Sequence, residues 1–171
     1  FIDTVEKMAT ICTVIKSKKL VLVSSVSART QLNTEYGRNR RACELMLDSS
    51  KNLIVRLGPM FGDDNRKGAL FDIIENRPVY LSDNSAYGYA SVSYNARKIV
   101  ELMEETGIIE LGAKNSIRLG DLRDKVSSKS KFLGLEDNQV ILTEQTDAPD
   151  ANDVVDFALD VISKKDNREN C

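Results

Sequence analysis

The chain has 171 residues, about one domain by length and enough to bury a core. Hydrophobic residues make up 42% and charged residues 29%, and 24 Lys and Arg against 26 Asp and Glu give a formal charge of −2. This balance lacks the basic excess of a duplex nucleic-acid binder. The count of zero histidines excludes Ser-His-Asp triads, Cys-His dyads and histidine-based zinc sites, so proton chemistry here must use Tyr, Lys, Asp, Glu, Ser or Cys.

Phe1–Ile15 reads as an amphipathic helix with Ile2, Val5, Met8, Ile11, Cys12 and Ile15 on one face. The chain opens inside this pattern with no cap before it, which implies a preceding segment. Cys12, Cys43 and Cys171 are odd in number and widely spaced, without a CxxC pair. They fit a reducing, cytoplasmic setting and offer neither a disulfide framework nor a metal site. Signal-peptide and membrane-span patterns are not seen.

Leu20-Val21-Leu22-Val23 is an uninterrupted aliphatic run, the pattern of a strand covered on both faces, and it ends in the small polar residues Ser24-Ser25-Val26-Ser27. Asn33 or Thr34 caps a helix over 35–48 with Ala42, Leu45 and Met46 inward. A second strand spans 52–57 and is broken by Gly58-Pro59 and then Gly62-Asp63-Asp64. A short helix over 68–76 and an extended piece over 78–81 follow. The helix over 94–105 turns Ile99, Val100, Leu102 and Met103 inward and ends at Gly107. Short strands are expected over 108–111, 116–119 and 139–143, with helices over 121–128 and 153–165. Residues 113–134 are rich in Lys and Ser and are expected to include a mobile loop, and 166–171 to form a frayed tail. Helices and strands alternating with short connections define an α/β domain with a mainly parallel sheet.

Four segments, in order, resemble the extended short-chain dehydrogenase/reductases, the NAD-dependent epimerases, dehydratases and reductases of nucleotide sugars. They are the strand ending in Ser24-Ser25; Tyr36-Gly37-Arg38-Asn39-Arg40; Arg56-Leu57-Gly58-Pro59-Met60-Phe61-Gly62; and Ala90-Ser91-Val92-Ser93-Tyr94-Asn95-Ala96-Arg97. The resemblance covers about residues 1–112. It implies a Rossmann-like, mainly parallel sheet, with 1–112 as the C-terminal half of an NAD(P)-binding domain and 113–171 as a small α/β substrate-binding cap with a tail. The family's glycine-rich phosphate-binding turn does not occur in this stretch. Half a sheet exposes a strand edge, which implies pairing with another copy or with a preceding segment.

The resemblance makes Ser25, Tyr36 and Arg40 the catalytic group. It gives cofactor contacts to Ser24, Tyr36, Arg40, Leu57 and Gly58, and substrate contacts to Ser25, Pro59 and Met60. NAD or NADP is the implied cofactor, and a nucleotide sugar or similar carbonyl or hydroxyl compound the implied substrate. A free tyrosine titrates near about 10 and is a poor base at neutral pH. A cation four residues on lies on the same helix face and favours the phenolate. Arg40 stands where the family has Lys; it keeps the charge but cannot relay a proton. Ser25 and Tyr36 are eleven residues apart, a shorter loop than the family's. Pro59 replaces the family's Asn, removing an amide and a backbone N–H.

Taken singly, each motif also has a plain structural meaning: Ser24-Ser25 as a strand end, Tyr36 as an amphipathic residue at a helix start, and Gly58-Pro59 as a loop. Three functions therefore stand: a hydride-transferring epimerase, dehydratase or reductase; a non-catalytic binding or assembly module on the same scaffold; and polyanion or RNA binding through Arg38, Arg40 and Arg41 with Lys16, Lys18 and Lys19. The overall charge opposes the third.

Overall fold

The computed structural model describes residues 2–63, 66–144 and 146–169. Helix α1 (Ile2–Val14) leads into strand β1 (Val21–Ser25), the single turn α2 (Ser27–Thr30) and helix α3 (Glu35–Leu45). Strands β2 (Leu53–Leu57) and β3 (Met60–Phe61), helix α4 (Ala69–Ile74), strands β4 (Ala86–Tyr87) and β5 (Ala90–Ser91) and helix α5 (Val92–Glu101) follow. The chain continues through β6 (Gly107–Leu111), β7 (Ile117–Arg118), α6 (Leu119–Lys125) and α7 (Asp153–Glu169).

The aliphatic runs build a parallel sheet as expected, but β1, expected to be covered on both faces, is only partly buried. β1, β2 and β6 are parallel in that order, with Val21 opposite Leu53 and Leu53 opposite Gly107. Parallel strands need crossovers, and α3 and α5 supply them. Central β2 is buried along Leu53, Ile54, Val55 and Arg56, so its run is apolar except for one arginine. Among the described residues β1 pairs only with β2, and Val23 on it is 44% exposed. Two small pairs lie apart from the main sheet: β3 with β5, parallel, and β4 with β7, antiparallel.

A second, larger core forms where α4, α6 and α7 meet. Leu70, Phe71, Ile73, Leu119, Leu122 and Val154 are buried in it, and the Phe157 ring packs 5.2 Å from Phe61 and 6.3 Å from Phe71. Residues from both sides of position 112 thus share one core. The segment 113–134, expected to include a mobile loop, is instead docked through Ile117, Leu119, Leu122 and Val126. Apolar residues at helical spacing within its polar composition explain the difference.

Several boundaries and faces differ from expectation. α3 stops at Leu45, and the residues it buries are Gly37, Cys43 and Glu44, while Leu45 is 70% exposed. The expected apolar face lost to an ion pair described below. α5 starts two residues earlier than expected and buries Tyr94 and Asn95; Ile99 and Leu102 pack against the β2 core, but Val100 and Met103 are exposed. Gly107 opens β6 at φ 102°, a backbone conformation suited to glycine. On α1, Met8 is buried while Ile11 is exposed. The tail expected over 166–171 is helical as far as Glu169; Phe1, Asp64, Asn65, Gln145, Asn170 and Cys171 lie outside the described residues. No helix among the described residues is long and apolar enough to cross a membrane.

The strand expected over 139–143 is the largest difference. Among the described residues only Tyr87 and Gln139 form a bridge there. Beyond it, Leu142 N–H donates to Glu110 Oε2 at 2.8 Å, and Glu110 N–H donates to Thr143 Oγ1 at 3.0 Å. Side chains occupy the backbone donors along this edge of β6, so a regular ladder does not form.

Candidate functional site

The C-terminal ends of parallel strands are where α/β sheets open a crevice. β1 and β2 end together at Ser25 and Leu57, register partners, and an open cleft of about 280 Å³ lies there. Of the residues expected at a site, Ser25, Tyr36, Leu57, Gly58 and Pro59 line it. Ser27, Gln31, Tyr87 and Gln139 complete the lining, and no sequence motif pointed to these four. Ser27 and Gln31 sit on and just after α2, in the short connection between Ser25 and Tyr36. Tyr87 and Gln139 arrive from remote segments, through the bridge noted above.

Local chemistry sets the near wall. Ser25 Oγ accepts from Ser27 N–H at 3.2 Å, which leaves its hydroxyl hydrogen free to donate. Thr34, of the two expected caps, is the one used: its Oγ1 accepts from Gly37 N–H at 3.0 Å and donates to Gln31 O at 2.8 Å. This cap starts α3 one residue before Tyr36 and ties it to the end of α2. Gly37 is needed there, because a Cβ would lie 2.1 Å from Gln31 O. Tyr36 is 38% exposed, with its ring under the Arg40 guanidinium at 5.3 Å from the centroid. Arg40 therefore meets the ring face in a cation–π contact, and both residues also line a small recess with Thr4 and Asn39.

The backbone of the far wall is already engaged. Leu57 O accepts from Val26 N–H at 3.0 Å, and Gly58 N–H donates to Leu111 O at 2.8 Å. Leu57 and Gly58 thus shape the cleft by close backbone packing; a Cβ on Gly58 would meet Leu111 O at 3.3 Å. Met60 turns away into β3 opposite Ala90.

Ser24 takes a different direction from Ser25, as alternation along a strand requires. Its Oγ donates to Glu44 Oε1 at 2.7 Å inside a buried charge network. Arg56 Nε and Nη2 donate to the two Glu44 oxygens at 2.9 and 2.8 Å, and Arg56 Nη1 reaches Glu110 Oε1 at 3.3 Å. Arg29 grips Glu110 with two further bonds of 2.9 Å and donates to Val140 O at 2.8 Å. Burial pushes both carboxyls up, but the guanidinium bonds and charges outweigh it, so Glu44 and Glu110 are held below the ordinary carboxylate range. This network braces the strands beneath the cleft and docks the segment that carries Gln139.

The arginines considered for polyanion binding are mostly engaged locally. Arg38 donates to Leu32 O and Asn33 O, Arg41 pairs with Glu44 at 3.1 Å, and Arg40 covers Tyr36.

No family model matches the chain, and no curated protein is similar to it in sequence. Solved structures are similar in fold. A UDP-N-acetylglucosamine 4-epimerase from Methanobrevibacter ruminantium, in complex with UDP-N-acetylmuramic acid, matches at TM-score 0.70 and 16% identity over 98% of this chain and 69% of its own. A dTDP-glucose 4,6-dehydratase from Bacillus anthracis, in complex with NAD, matches at TM-score 0.72 and 12% identity over 98% and 68%. An NAD-dependent NDP-hexosamine 5,6-dehydratase involved in tunicamycin biosynthesis matches at TM-score 0.69 and 13% identity over 96% and 70%. The fold is thus the Rossmann-like α/β fold of these epimerases and dehydratases. At such identities the likeness establishes architecture, and function rests on the site.

Proposed function

We propose that the chain carries the acid/base residues of an NAD(P)-dependent epimerase, dehydratase or reductase, acting on a nucleotide sugar or a similar carbonyl or hydroxyl substrate. The supporting observation is that Ser25 and Tyr36 share one cleft at the C-terminal ends of β1 and β2, with a cation stacked on the tyrosine. The donor set is suited to a nicotinamide ribose and a substrate oxygen: a phenol, a serine hydroxyl and an apolar floor of Leu57 and Pro59. NAD(P), when bound, supplies the site that takes up or returns the hydride.

The chain's own residues have separate tasks. Ser25 donates its free hydroxyl hydrogen to the substrate oxygen and orients it. Tyr36 accepts the proton of a substrate hydroxyl during oxidation and returns it during reduction. Arg40 contributes a fixed positive field at the ring, without relaying the proton itself. Substrate contacts of Pro59 and Met60, and a cofactor contact of Ser24, have weaker support: Pro59 only lines the cleft, Met60 lies in β3 and Ser24 is bonded to Glu44.

Calorimetric titration with NAD and NADP, followed by nicotinamide absorbance with candidate substrates, tests the proposal. Tyr36→Phe is expected to lower kcat by about 10²–10⁴-fold, the usual contribution of a positioned acid/base. Its stability cost stays within about 0.5 kcal/mol, because Tyr36 is an exposed residue whose hydroxyl makes no hydrogen bond among the described residues. A second reading, a non-catalytic binding module, draws support from the contact of Arg40 with the ring face. It is the reading to adopt if Tyr36→Phe leaves turnover unchanged or neither nucleotide binds.

A further inference from the structure

Three of the side chains lining the cleft turn their polar ends to one carboxylate that does not line it. Asp137 Oδ2 accepts from Tyr87 Oη at 2.8 Å, from Gln31 Nε2 at 2.9 Å and from Gln139 Nε2 at 3.2 Å. Asp137 Oδ1 accepts from Gln139 Nε2 at 3.1 Å. A carboxylate only accepts, so the nitrogen ends of both amides face it, and its lone pairs suffice for three donors. The donors come from the end of α2, from β4 and from the segment after α6, and Gln31 stands 106 residues before its acceptor.

Burial first, and then the Asp137 charge and hydrogen bond, push the Tyr87 phenol far above the ordinary tyrosine range. Tyr87 is therefore a fixed donor at neutral pH. The carboxylate is not what docks its own segment. Asp137 N–H donates to Ser85 Oγ at 3.1 Å, and Ala86 N–H donates to Asn138 Oδ1 at 2.8 Å. Gln139 N–H donates to Ala86 O and Gly88 N–H donates to Gln139 O, both at 2.9 Å. These four bonds lay residues 137–139 along 85–88 without using the Asp137 side chain. What the carboxylate adds is the orientation of three other side chains, two of them long and rich in rotamers.

We propose that Asp137 is a positioning residue of the cleft. Its carboxylate holds Gln31, Tyr87 and Gln139 together as one preorganised wall beside Ser25 and Tyr36. It thereby sets how well a nicotinamide nucleotide fits, without lining the cleft itself. A wall already held in place has less side-chain freedom to lose when the nucleotide enters, so the affinity is higher. The inference rests on the cleft being the reaction site proposed above, and it adds a residue that no sequence motif singled out.

Two measurements on the full chain test it. In ¹⁵N-labelled protein, Tyr87→Phe takes one donor from the carboxylate and is expected to move the side-chain amide signal of Gln31. In an Asp137→Ala background the same substitution is expected to move that signal less than half as much, because the shared acceptor is gone. A merely structural Asp137 would give equal movement in both backgrounds, and that result overturns the inference. Calorimetry with NAD and NADP then reads the fit. The nucleotide that the wild type binds is expected to bind Asp137→Asn about tenfold more weakly, and Tyr87→Phe about threefold more weakly, the scale of neutral hydrogen bonds. Wild-type affinity in both variants overturns the inference, and Tyr87→Phe keeps the test open if Asp137→Asn folds poorly. If neither nucleotide binds the wild type, the functional proposal fails, and the Gln31 signal still decides whether Asp137 couples the wall.

Discussion

Glu44 and Arg56 face each other from α3 and β2 in a two-bonded pair, Nε to Oε1 at 2.9 Å and Nη2 to Oε2 at 2.8 Å, with the carboxylate side chain 1% exposed. The pair joins the helix that carries Tyr36 to the strand that ends at the cleft. Removing one partner of a buried pair leaves the other uncompensated. Glu44→Gln is therefore expected to cost about 3–5 kcal/mol, read as a drop in urea midpoint at unchanged slope.

The same network gives the fold an acid limit. Glu44 and Glu110 titrate below their ordinary values in the folded chain, so the folded state binds fewer protons than the unfolded one over that range. Their contribution is complete above the unfolded carboxylate value of about 4.3 and fades as pH falls through the folded values. Thermal melts followed by circular dichroism are expected to hold steady from neutrality to about pH 5 and fall below it. In Glu110→Gln that acid slope becomes shallower.

Arg29 reaches across 81 residues to Glu110 and 111 to Val140. Arg29→Met removes three bonds to Glu110 and Val140 while keeping much of the side-chain bulk. It is expected to cost about 1.5–3 kcal/mol, the range for a charge-assisted hydrogen bond. Amide exchange should accelerate at Leu142, whose N–H is bonded to Glu110, more than at Val55 in the central strand.

Gly37→Ala tests the seam between α2 and α3. The added methyl would lie 2.1 Å from Gln31 O and 2.7 Å from Ser27 O, both backbone atoms that cannot swing aside. A loss of about 1–3 kcal/mol or more is expected. Because Ser27 and Gln31 line the cleft, ligand titrations should weaken together with the melting temperature.

How legible the molecule is from its sequence depends on the distance over which each feature is decided. Leu20–Val23 and 53–55 announce parallel strands through short aliphatic runs, although only the second is buried and Val23 is exposed, and Thr34 announces a helix start through its own hydroxyl. Glu44 shows the opposite case: hydropathy assigns it to solvent and Leu45 to the interior, and the structure reverses both. The reversal requires Arg56, twelve residues away on another element, a partnership no local window contains. Residues 139–143 have strand composition, yet Glu110 and Thr143 side chains take the backbone donors that a ladder would use.

Sequence alone determined the α/β alternation and the apolar run of the central strand, since these depend on composition and near spacing, whereas Ser25, Tyr36 and Arg40 were grouped as a candidate set by the family resemblance. Tertiary structure decided which residues share a cleft. It brought Gln31, Tyr87 and Gln139 to the ends of β1 and β2, sent Ser24 into a buried charge network and laid Arg40 on a ring face. The physical reason is that burial of charge and of amide groups is settled by partners remote in sequence, where hydrogen-bond satisfaction outweighs local propensity.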